Sequence, residues 1–142
     1  MLPLHNTPRA AYRRVAVDAR IRGASQTELV ALCFEQVVAE LGGAIHAHNS
    51  NDPARRSEGL TRAHAALTAL EMGLDRRQPI SAAMLQLYGA ARERILRSVT
   101  AFDAAALQLV RTDFREIGAA LLGGTGPIET GAAGSRSDSA AS

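Results

Sequence analysis

Few residues in this chain could carry out chemistry, and their spacing works against most reactions. There are four histidines, His5, His46, His48 and His64, and one cysteine, Cys33. Carboxylate-bridged metal sites in helical proteins draw on Glu-x-x-His pairs aimed inward, and no such pair occurs. His46 and His48 are two residues apart, which puts them on different faces of a helix, so they read as a solvated helix end. His5 sits in an irregular, proline-containing lead-in. A single cysteine rules out an intrachain disulfide and leaves no basis for a cysteine zinc site. Cys33 lies on an apolar row, where a buried structural thiol is expected rather than a nucleophile. All 16 basic residues are arginine. With no lysine there is neither a phosphate-cradling P-loop lysine nor a Schiff-base lysine. No serine has a Gly-x-Ser-x-Gly context and no glycine cluster follows a strand. The chain therefore reads as a binding protein and not an enzyme, with no metal and no cofactor.

The elements that would present a binding surface are helical. The chain has 142 residues, which suits one domain, and 46% of them are hydrophobic. Alanine supplies 28 of those positions, so many packing contacts must be small. Ser25-Gln26-Thr27-Glu28 fits a capping box. Leu29, Cys33, Val37, Leu41 and Ile45 follow at helical spacing, to about His48, although Gly42-Gly43 weakens the run. Asp52-Pro53 caps and starts a second helix, with a stripe of Leu60, Ala63, Leu67, Leu70 and Leu74. After a break at residues 75–79, a third helix is predicted from Ser81 to Phe102. Its inward row is Met84, Tyr88, Ala91, Ile95, Val99 and Phe102, flanked by Leu85 and Leu96. Asp103 caps a fourth helix with the row Leu107, Val110, Phe114, Ile117 and Leu121. No segment alternates as a strand does. The fold class expected is all-α, an antiparallel four-helix bundle over residues 25–122. No apolar run approaches the roughly 20 residues of a membrane span, and no signal peptide is visible.

The ends differ from the middle. Residues 1–24 form an N-terminal arm with five arginines against Asp18, a net +4, whereas residues 25–122 carry −1. Positive charge on an arm rather than on the folded part argues against a nucleic-acid binder. Tyr12, Val15, Val17 and Ile21 are apolar among the arginines, so the arm could form a short helix ending at Gly23. Residues 123–142 contain little but Gly, Ser, Thr and Ala and are expected to be a disordered tail. Arg92-Glu93-Arg94 with Arg97 reads as a solvated face. His64, mid-helix in Arg62-Ala63-His64-Ala65-Ala66-Leu67, raises the alternative of a histidine phosphotransfer bundle. Those domains resemble His-x-Leu-Lys-Gly after the histidine, and here the lysine and glycine are missing. An unassigned helical adaptor is the remaining alternative.

One resemblance carries further. Ala11-Tyr12-Arg13-Arg14-Val15-Ala16-Val17, then Gly23-Ala24-Ser25 and Glu28-Leu29-Val30-Ala31-Leu32-Cys33-Phe34-Glu35, resembles the opening of the FliS family, the flagellin-specific export chaperones. Pro79-Ile80-Ser81-Ala82-Ala83-Met84-Leu85-Gln86-Leu87-Tyr88, followed by Arg92-Glu93-Arg94-Ile95, is similar to a second family block. The resemblance spans roughly residues 11–122. Departures stand at Gln26, Cys33, Gln36, Met84 and Leu121. It implies a cytosolic bundle that binds the C-terminal segment of flagellin, keeps it from polymerising early and delivers it to the flagellar type III export gate. It implies no nucleic acid and no membrane insertion, and it leaves a homodimer open. The expected flagellin contacts are Tyr12, Val17 and Ile21 on the arm, lying over the client groove, and Leu32, Leu85 and Tyr88 on the bundle.

The tail contains Ile128 as its only large apolar residue, so its removal deletes little buried area. Truncation after Leu122 is expected to shift the Tm by less than a few degrees. Loss of a cooperative melting transition would place the tail in the core.

Overall fold

The computed structural model describes residues 26–123. The arm, Ser25 at the expected first cap, and the tail from residue 124 lie outside the described residues. Within them the chain forms α1 (Gln26–Asn49), α2 (Pro53–Met72), α3 (Ser81–Thr100) and α4 (Ala104–Gly118), and a π-turn, Ala119–Gly123, prolongs α4. α1 packs against α2 and α4, and α3 packs against the same two helices from the other side. The result is an all-α four-helix bundle closed as a ring.

Three residues turn the chain from α1 into α2. Asn51 adopts the left-handed conformation with φ 56°, which a short polar side chain tolerates better than most. The Asn51 and Asp52 N–H groups then return to the His48 and Ala47 carbonyls at 3.2 and 2.8 Å, a Schellman closure. Asp52 accepts from the Arg55 N–H at 3.1 Å and Pro53 follows at the first helical position. Asp103 starts α4 in the same way, accepting from the Ala106 N–H at 3.0 Å. α3 has no side-chain cap at Ile80. Ser81 instead folds its hydroxyl onto the Asp75 carbonyl.

The core matches the expected rows except near helix ends. Val37, Leu41, Leu60, Leu67, Met84, Ile95, Leu107 and Val110 are buried. Phe34, Tyr88 and Phe114 form its aromatic centre, with ring centroids 4.9 Å apart for the phenylalanines and 6.3 Å from each to Tyr88. Val99, expected inward, is 64% exposed, and Leu96 beside it is 51% exposed. The row takes a three-residue step from Ile95 to the buried Ser98. Ser98 accepts the Asp103 N–H at 3.2 Å and so ties down the start of α4. α3 ends at Thr100, short of Phe102, because Ala101 is extended. Leu121 also turns outward: Gly118 takes the buried position and the π-turn breaks the row. Leu74 lies past the end of α2 yet still packs on the core.

The α1–α2 seam is built from small residues. Ala44, Ala47, Gly59, Ala63 and Ala66 are all buried. A Cβ on Gly59 would meet the Glu40 carbonyl oxygen at 2.7 Å and the Ala44 Cβ at 3.0 Å. The expected weakness at Gly42-Gly43 has a purpose in packing. With no side chain at 42, the Arg111 guanidinium crosses from α4 and donates through Nε to the Val38 carbonyl at 3.0 Å. Between α2 and α3, Arg92 donates twice to the Glu71 carboxylate, at 2.5 and 2.6 Å. Arg92 is therefore a bridging residue rather than part of a solvated face, whereas Arg97 pairs on the surface with Glu93.

One expectation about composition is corrected. α1 is long and apolar enough, by length and composition, to cross a membrane. In the bundle its Val37, Leu41 and Ala44 have no exposed surface. It has the composition of a helix that neighbours cover on two sides.

Gly59→Ala and Gly89→Ala should move stability in opposite directions. Both gain helix propensity, roughly 1 kcal/mol. A methyl at 89 meets nothing within 4 Å, so that gain is kept. A methyl at 59 forces α1 and α2 apart, and a net loss of about 1–3 kcal/mol is expected. Urea denaturation checks both, and a Gly59→Ala protein as stable as the parent would contradict the seam.

Candidate functional site

Two open apolar grooves flank α1. The first, about 660 Å³, runs between α1 and α4. Phe34 and Phe114 form its floor, and Ala31, Ala39, Gly118 and Ala119 keep its walls low. Its rim is charged, with Glu35 on α1 and Arg111 and Arg115 on α4. Burial holds the Arg111 pKa below its usual value, and the Arg115 charge adds to this.

The second groove, about 560 Å³, lies at the end of the bundle where α1 begins and α2 hands over to α3. Leu29 and Val30 come from α1, Met72 and Leu74 from the end of α2, and Ile80 and Met84 from the start of α3. Met72 is 47% exposed and Ile80 50%. Two methionines give this surface an unbranched, adaptable lining. Gln26 also lines it, so the chain enters α1 at the groove's edge. Cys33 and Tyr88 lie beneath. Burial pushes the Cys33 thiol up to about 11, which leaves it protonated and inert at neutral pH. Burial, followed by the Cys33 and Glu71 charges, pushes the Tyr88 hydroxyl up to about 12.

The residues nominated from sequence fall in three places. Tyr12, Val17 and Ile21 lie outside the described residues. Leu32 and Leu85 are half-buried and line neither groove. Tyr88 lines the end groove but is only 2% exposed, so a polar change there perturbs the core first. The grooves instead use Leu29, Met72, Ile80, Phe34 and Phe114. Met72 and Ile80 carried a readable signal, because each is a large apolar residue beside the break at 75–79. Phe34 and Phe114 carried none, since a core position and a groove floor share the same periodicity.

The histidines support other roles. Among the described residues there is no group of three or more His, Cys, Asp or Glu placed to hold a metal ion. His48 stands exposed at the end of α1, as expected of a solvated helix end, but its ring is held rather than frayed. It stacks on Phe102 with centroids 4.3 Å apart, and its Nδ1 accepts from Arg56 at 3.1 Å. That contact places the ring proton on Nε2. His64 is half-buried in a small α2–α3 cleft with Thr61, Thr68, Leu96 and Val99. Desolvation lowers its pKa from 6.5; Arg92 lowers it further and Glu71 opposes. The folded state therefore resists protonation more than the unfolded chain does. The stability from neutral His64 is complete above about pH 6.5 and is lost as pH falls below it. A His64→Gln variant should lose less stability than the parent between pH 7.5 and 5.5, as measured by urea titration at each pH. Parallel losses would contradict this.

A family model described as flagellar protein FliS matches residues 8–120. That match takes in all of α1, α2, α3 and α4. A search of curated proteins finds no match. The match runs through both grooves and supports the resemblance over the histidine phosphotransfer reading. The chain belongs to the FliS family of flagellar proteins.

Proposed function

We propose that this protein is a cytosolic chaperone that holds the C-terminal segment of flagellin in the two grooves beside α1, keeps it from polymerising and delivers it to the flagellar type III export apparatus. The observation that supports this most is a FliS-family bundle with two open apolar grooves on either side of one helix. A terminus that is unfolded alone can fold as amphipathic helices against such surfaces. The job needs apolar relief and a rigid frame, and no catalytic group.

Two turns of helix laid in one groove remove on the order of 400 Å² of apolar surface from water, contributing roughly 10 kcal/mol. Ordering about eight client residues costs roughly 8–16 kcal/mol. Gain and cost nearly cancel and both scale with the length of client laid down, so net binding rests on how well the groove floors fit the client's apolar side chains. Tyr12, Val17 and Ile21 fit this reading as an intramolecular competitor. Gln26, the first described residue, lines the end groove, and the apolar residues that precede it in sequence are of the kind a client would offer.

The protein is expected to co-purify with full-length flagellin from the same genome and not with flagellin lacking its C-terminal segment. Equal recovery of both forms would move the client site elsewhere on flagellin. Recovery of neither would remove the chaperone reading.

A further inference from the structure

The rim of the α1–α4 groove carries an unbalanced charge pattern. Arg111 and Arg115 stand one helical turn apart on the same flank of α4, a like-charge spacing that is unfavourable in an isolated helix. Arg111 is engaged, donating to the Val38 carbonyl and to Gln108 Oε1. Arg115 is exposed and makes no ion pair or side-chain hydrogen bond among the described residues. The nearby acids do not serve it. Asp113 and Glu116 stand about 100° or more around α4 from Arg115 at 3.6 residues per turn, and Glu35 on the facing rim forms no ion pair with either arginine.

From this we infer that the α1–α4 groove selects for charge as well as apolarity: its occupant is an amphipathic helix with an Asp or Glu beside its apolar stripe, placed to pair with Arg115. This rests on the chaperone reading above and names what the groove recognises in its client. The apolar floor of Phe34 and Phe114 supplies most of the attraction, and the carboxylate sets how the helix lies along the groove. The N-terminal arm has the wrong sign for this rim, at net +4 over residues 1–24. The occupant proposed is therefore the client segment, and the arm's net charge of +4 disfavours its taking that place. Arg115 acts here as a specificity residue; the fold does not need it, since it braces no other helix.

The test is calorimetric titration of the full chain and of Arg115→Glu with a flagellin C-terminal fragment, at low and high salt, with melting curves in parallel. The parent should bind more weakly as salt rises, because an exposed ion pair is screened. Arg115→Glu should melt at or slightly above the parent's Tm, because it relieves the repulsion from Arg111, and bind roughly two- to fivefold more weakly at low salt. Its salt dependence should flatten or reverse. Reversing the fragment's carboxylates one at a time should reveal one that restores binding to Arg115→Glu. Equal affinity and equal salt dependence would overturn the charge role while leaving the chaperone reading intact. Weaker binding with unchanged salt dependence would also overturn it, because the loss would then come from packing. Failure of the parent itself to bind the fragment would remove both readings.

Discussion

The close approach of α1 and α2 at Gly59 and Ala44 is the constraint on which the other contacts depend. A Cβ at 59 would press on the Glu40 carbonyl at 2.7 Å, so the two helices can sit at this spacing only because glycine stands there. Small residues on this side of α1 leave the bulky side chains to the opposite flank. Phe34 there meets Phe114 and Tyr88 and fills the centre of the ring. The bundle is thus tight along one seam and aromatic along the other. The α1–α4 side keeps an open groove because its walls are Ala31, Ala39, Gly118 and Ala119. The arginines complete the arrangement. Arg111 reaches a mid-helix carbonyl over Gly42, and Arg92 clamps Glu71 across α2 and α3.

Most of the fold was legible because the signals at helix ends are local. Asp52-Pro53 and Asp103 act through neighbours three residues away, and the structure uses both as caps. Rows such as Leu60–Leu67 and Leu107–Phe114 needed only helical phase. The misreadings cluster where a row meets a turn. The 4-3-4 steps of Met84, Tyr88, Ala91 and Ile95 continue to Ser98; Val99 attracts by its apolarity, whereas the buried position holds a serine whose hydroxyl accepts the Asp103 N–H. Leu121 continued α4, and a π-turn that periodicity does not encode turned it outward. His48 is at a solvated end as read, but its contacts were not legible because Arg56 and Phe102 lie eight and 54 residues further along the chain.

The candidate site was less legible than the family. A family pattern is carried by order and spacing along the chain. A groove is an absence of side chains between helices, and it appears only once the helices are placed. Tyr88 illustrates the difference. Its matching position within Leu85-Gln86-Leu87-Tyr88 supported the resemblance, yet its side chain belongs to the core and is only 2% exposed where it lines the end groove. Glu35 and Arg115, each unremarkable as a surface charge in sequence, gain meaning only as the rim of a cleft whose floor is apolar.

The central claim is that client contact is concentrated on both flanks of α1. Amide chemical-shift mapping of the isotopically labelled protein, titrated with an unlabelled flagellin C-terminal fragment, tests it most directly. The account predicts perturbations at Ala31, Glu35 and Ala39 along one groove and at Leu29, Met72 and Ile80 along the other, saturating together. Shifts confined to the α2–α3 face around His64, Leu96 and Val99 would contradict it.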